Sequence, residues 1–189
     1  MHLSNAERLI LIMLSEIHES LKIKSGIEPQ FVKEAIYSGN EWGLAWKYSG
    51  VFGKDKEETP PVVKEVCDIL DMWSCVEHSL NRLTEQEKLT ILAEADATSF
   101  DIKFVGFDGN NESAYMNVAH FLIKDLERFQ TFEDRADLNS HCPVLDTYQR
   151  MTEAFLRIRP TLSTGIMGPG QIIEVLKARI HPENRKKTA

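Results

Sequence analysis

Cysteine is scarce in this chain. The three residues Cys67, Cys75 and Cys142 are odd in number and form no close pair, which excludes a disulfide-stapled scaffold. Cys67 and Cys75 fall within one predicted helix, and at the helical rise their eight-residue spacing separates them by about 12 Å, too far for a disulfide. That usage fits a reducing cytoplasm. Long apolar runs are missing too: Leu9 to Leu14, L-I-L-I-M-L, is far short of a membrane span and lacks the basic front and small-residue cleavage site of a secretory signal. Basic residues are outnumbered, 22 against 29 acidic, for a formal charge of -7. A broad nucleic-acid surface would need a local basic cluster, and only Arg185, Lys186 and Lys187 supply one, at a terminus that reads as a solubilising tail. No internal repeat or low-complexity tract occurs.

Apolar residues are plentiful. At 42% of 189 residues they suffice for one substantial core, and burial on that scale offsets the entropy of ordering the chain. Helical punctuation recurs along the chain. Ser4 to Glu7, S-N-A-E, is a capping box that starts a helix to about Lys22, with Leu9, Ile10, Met13, Leu14, Ile17 and Leu21 at helical spacing. Pro29 opens a second helix, which Gly39 ends, and Asn40 is placed to cap a third, where Trp42 and Trp46 share a face. Ser49 to Glu58 reads as a loop.

The strongest periodicity follows Thr59 and Pro60. Val62, Val66, Ile69, Trp73, Val76, Leu80 and Leu83 recur at steps of four and three, and Val63, Leu70 and Met72 widen the stripe beyond a coiled-coil seam. This predicts the central helix of a bundle, with a dimer helix as the alternative reading. Thr84 to Glu87, T-E-Q-E, is a second capping box. Ile102 to Phe107 reads as an extended linker, because no partner strand is evident. Further helices are predicted from Glu112 to about Phe129, from Pro143 to Pro160, and after the connector Gly165 to Gly170. The fold class is therefore all-α: a single-domain multi-helix bundle (1–160) with a long central helix, and a C-terminal appendage (161–189) of linker, helix and basic tail.

The residues that could carry chemistry are few. Asp108, Asn110 and Glu112 alternate like the first ligands of a calcium loop, but Ser113 and Ala119 stand where that loop needs glycine and a bidentate acid. The stretch reads instead as a turn into a helix, with Asn110 or Asn111 as cap and Glu112 near the positive end. His120, His141 and Cys142 carry no metal-ligand spacing, and N-S-H-C-P reads as a turn. Cys75 and His78, three apart, are two soft ligands without a second pair. The connector G-I-M-G-P-G lacks the lysine and hydroxyl residue of a phosphate loop. No catalytic residue, metal or cofactor is assigned.

Three stretches form a recognisable set: S-N-A-E-R-L-I-L (Ser4 to Leu11), F-V-G-F-D-G-N-N-E-S-A-Y (Phe104 to Tyr115) and Y-Q-R-M (Tyr148 to Met151). Together they resemble the YfbU family of bacterial proteins, from Ser4 to Phe155. The resemblance implies an almost wholly helical, cytoplasmic protein that self-associates. Because that family has no assigned activity, no catalytic residues carry over.

The leading expectation is a non-enzymatic helical protein-interaction module that forms a homo-oligomer. The alternative is an enzyme or a small-ligand or metal-binding protein with a site between helices near Asp108, Glu112, His120 and His141. A regulator touching nucleic acid through a minor basic face is the third reading. Neither a membrane nor nucleic acid is an expected partner.

Overall fold

A computed structural model describes residues 3–52, 59–135 and 139–184. Within them lie nine α-helices: α1 (Asn5–Ser20), α2 (Pro29–Tyr37), α3 (Trp42–Lys47), α4 (Ser49–Phe52), α5 (Pro61–Leu80), α6 (Glu85–Glu94), α7 (Ser113–His120), α8 (Leu145–Ile158) and α9 (Pro169–Lys177). The described residues contain no β-strand, only an isolated bridge between Phe107 and Asn139. The basic tail and residues 53–58 of the Ser49 to Glu58 segment lie outside the described residues.

Helix α5 is the axis of the fold. Val63, Val66, Ile69, Leu70, Met72, Trp73, Val76 and Leu80 are all buried, so its stripe wraps more than one side and meets both α7 and α8. Such burial contributes roughly 1.5–3 kcal/mol per large side chain, which makes α5 the element that the rest of the core is built around. Around its C-terminal half, Trp73, Phe104, Phe107, Phe132 and Tyr148 form a cluster of rings at centroid distances of 5.2–5.9 Å. Ring edges and faces of opposite partial charge favour these tilted and perpendicular pairs.

Both capping boxes form. The Ser4 and Thr84 hydroxyls accept from the amides of Glu7 and Glu87, whose carboxylates return to the cap amides at 2.7 and 2.8 Å. Gly39 takes the left-handed φ of 72° that ends α2. Asn40 does not cap α3; its Oδ1 accepts from the Trp42 indole at 3.0 Å and orients that ring instead. Segment 49–52 is a helical turn rather than loop. Gly43 is required by close approach, because a Cβ there would stand 2.3 Å from the Phe121 ring.

Two helices are shorter than the sequence predicts. After His120 the chain makes one π-helical turn, Phe121–Asp125, and breaks at Glu127 and Phe129, both at a left-handed φ of 52°. Gln130 donates to Ile123 O at 2.8 Å and Lys124 to Glu133 O at 2.9 Å, holding this reversal closed. The second is α8, which begins at Leu145 instead of Pro143. It ends at Ile158, two residues before Pro160.

Helix α9 is built into the core. Ile172, Val175 and Leu176 are fully buried against α8 and α6. Its carboxyl end is clasped by α8: the Arg150 guanidinium donates to Ala178 O and Arg179 O at 3.3 and 2.9 Å. A cation at that end also meets the negative end of the helix dipole.

The outlier is α1. Leu11, Ile12 and Ser15 turn to the body and pack on α2, while Leu9, Ile10, Met13, Leu14, Ile17 and Leu21 are 50–68% exposed. Those six are the residues whose helical spacing predicts the helix, yet the stripe faces solvent.

Candidate functional site

The four sequence candidates divide into a joined pair, a near neighbour and an outlier. Asp108 and Glu112 are buried together at the entry to α7. Glu112 N donates to Asp108 O at 2.7 Å, and Asp108 N donates to Glu112 Oε2 at 2.9 Å. The other carboxylate oxygen of Glu112, Oε1, accepts from Val144 N and Leu145 N, both at 2.7 Å. Glu112 therefore caps α8 across 32 residues of chain. A carboxylate on the first amides of a helix satisfies donors that would otherwise be orphaned, and it meets the positive end of the dipole.

Asp108 serves the turn itself. Its carboxylate accepts from Asn111 Nδ2 and from Asn110 N, the latter at 3.0 Å. These bonds, the Asn111 amide first, hold its carboxyl below the ordinary value, and His141 nearby acts in the same direction. Neither asparagine caps α7. Asn139 ties the returning chain to this turn: its Oδ1 accepts from Gly109 N at 3.1 Å and from His141 N at 2.9 Å. At Gly109 a Cβ would come within 2.7 Å of the Asn139 amide nitrogen. His141 sits at a left-handed φ of 55°, and its ring is exposed. His120, also exposed, closes the far end of α7, about 12 Å from the turn by helical rise.

Chemically, this is a junction whose acceptors are engaged. Both Glu112 oxygens and both Asp108 oxygens already accept protein donors. Among the described residues no group of three His, Cys, Asp or Glu side chains is placed to hold a metal ion. The turn at Asp108 is legible in the sequence, but Asn139, which joins that turn through Gly109 N, is not, since a contact over 30 residues leaves no local pattern.

Elsewhere, Cys75 and His78 line a surface groove of about 480 Å³ with Asp71 and Arg159. The Cys75 thiol donates to Gly165 O at 2.9 Å and is pushed up by burial, with Asp71 adding to the effect. Arg159 is paired to Asp71 at 2.9 Å. A different groove, of about 460 Å³ and walled almost wholly by apolar side chains, runs between α1 and the α2–α4 segment; Leu3, Glu7, Ile10, Val32, Leu44 and Tyr48 line it.

The YfbU domain model matches residues 1–165. The chain belongs to the YfbU family. One YfbU relative is UPF0304 protein MJECS11 of Methanocaldococcus jannaschii, 31% identical over 156 residues, covering 80% of this chain and 86% of that protein. The relative is archaeal, so YfbU membership alone does not mark a chain as bacterial. No solved structure matches. The YfbU family is uncharacterised and indicates no enzymatic function. Its matched span ends before α9, although α9 fills part of the same core. No helix among the described residues is long and apolar enough to cross a membrane.

Proposed function

We propose that this YfbU member is a non-enzymatic cytoplasmic protein, of bacterial type, that acts through protein contacts and forms a homo-oligomer. The observation that carries this reading is the outer side of α1, where five large apolar side chains of the helix and Leu21 at its C-cap lie at least half exposed. Single exposed apolar residues are ordinary on a soluble protein, whereas a contiguous stripe marks a contact surface. The junction around Glu112 supports the non-enzymatic part, because its carboxylates are committed to holding α7 and α8 together. Three cysteines without a disulfide among the described residues fit a reducing compartment.

Light scattering coupled to gel filtration tests the reading at micromolar concentration. A mass near twice the 21.6 kDa of the chain, or a higher multiple, is the expected result. A monomer at every concentration would overturn it.

A further inference from the structure

We infer that two copies of this chain pair through α1, antiparallel about a two-fold axis that passes between the paired helices at the level of Met13 and Leu14, with Leu21 of each copy seated in the groove of the other. This rests on the self-association proposed above and adds its surface, sense and anchor.

Helix α1 is apolar on two opposite sides, and α2 covers one of them. On the other, Ile10 and Ile17 run down the centre at a heptad step, with Met13 and Leu14 flanking them. From Leu9 to Ser15 no residue is charged, in a chain where 27% are. A two-fold contact requires a patch that fits itself. With the axis at Met13 and Leu14, Ile10 meets the second copy's Ile17, and Ala6 meets its Leu21.

That register puts Leu21, 68% exposed, over a hole bounded by Leu3, Glu7 and Ile10 of the other copy. These same three residues, with Leu11, line the apolar groove on its α1 side. An aliphatic anchor in a desolvated pocket is the arrangement that concentrates binding energy in protein interfaces. The ends agree in charge. Antiparallel packing brings Glu7 of one copy towards Lys22 and Lys24 of the other, whereas parallel packing would set the lysines against each other.

The area suffices as well. The helix is about 24 Å long, and six half-exposed aliphatic side chains offer on the order of 500 Å². Seating Leu21 in the groove brings the contact towards the roughly 800 Å² per partner of a standard interface.

Sedimentation of the wild type and of Leu14→Glu and Ile17→Glu, with circular dichroism to check folding, tests the surface. Both positions are exposed, so each variant is expected to fold and to raise the dimer dissociation constant about 100-fold or more. Wild-type dimers with folded variants that still dimerise would overturn the α1 surface and leave self-association standing. A monomeric wild type would remove both. Oxidative cross-linking in a Cys142→Ser background tests the sense: Leu14→Cys is expected to link to itself, and Ala6→Cys to Leu21→Cys in a mixture. Linking of Ala6→Cys to itself, without the mixed product, would overturn the antiparallel order.

Discussion

Glu112 closes the start of α8 by accepting the amide of Val144 at 2.7 Å, although the two residues stand 32 apart in the chain. The helix is thus stopped by a side chain brought from another element rather than by its own preceding residue.

Removing this cap leaves the buried amide of Asp108 and the half-buried amides of Val144 and Leu145 without their partner. Glu112→Ala is therefore expected to destabilise the fold by about 3 kcal/mol and Glu112→Gln by about 2 kcal/mol, since the amide oxygen keeps one neutral acceptor while the amide NH2 faces an N–H donor on the other side. Urea unfolding followed by far-ultraviolet dichroism measures both. Equal midpoints for Glu112→Ala and wild type would refute the cap.

Asp108 gives the turn a pH dependence. Its carboxyl lies below the ordinary 3.8 in the folded chain, with the Asn111 bond as the main cause. Its contribution is whole above that value and disappears as pH falls through the lower folded value. Asp108→Asn is expected to be less stable at neutral pH and to lose less on acidification from pH 5 to pH 2. Thermal melts across that range check the slope.

The thiols should separate by reactivity. Cys142 is exposed, while burial pushes Cys67 up to about 11 and raises Cys75 too. One thiol of three is expected to react quickly with a disulfide reagent at pH 8, and Cys142→Ala is expected to remove that fast phase. A fast phase surviving the substitution would show that α5 opens readily.

Leu176 of α9 touches no solvent. Leu176→Ala is expected to cost about 3 kcal/mol, a fall of roughly 9 °C in Tm for a chain of this size. Ending the chain at Gly165 exposes the whole seat of α9, and cooperative melting should vanish in calorimetry. A truncated chain that melts like wild type would make α9 dispensable.

Local signals in the sequence translated directly into structure. Ser4 with Glu7 and Thr84 with Glu87 close their boxes because each needs only three residues of chain. The stripe of α5 was legible for the same reason: helical period alone gathers Val66, Ile69, Trp73 and Val76. Contacts formed over long separations were not. Neither the Glu112 cap of α8 nor the Arg150 clasp of α9 has a local pattern, and the break at Phe129 overrides an apolar period that otherwise continues. For α1 the period marked the helix and left its direction open. Leu11 and Ile12 lie opposite Ile10 and Ile17, and which side meets α2 is decided by fit. The ion pairs of Arg8 with Glu41 at 2.6 Å and of Lys33 with Glu19 at 2.7 Å form on the packed side and add to that fit. Of the candidate residues, Asp108 and Glu112 were legible as a turn, whereas Asn139 emerged only in three dimensions.

The clasp on α9 also orders events during synthesis. Helices α5, α6 and α8 all leave the ribosome before α9 does, so their inner faces wait unsealed until Ile172, Val175 and Leu176 arrive. Arg150 is then already in place to grip the newcomer's last carbonyls, and closure of the nascent body follows translation of that helix instead of preceding it.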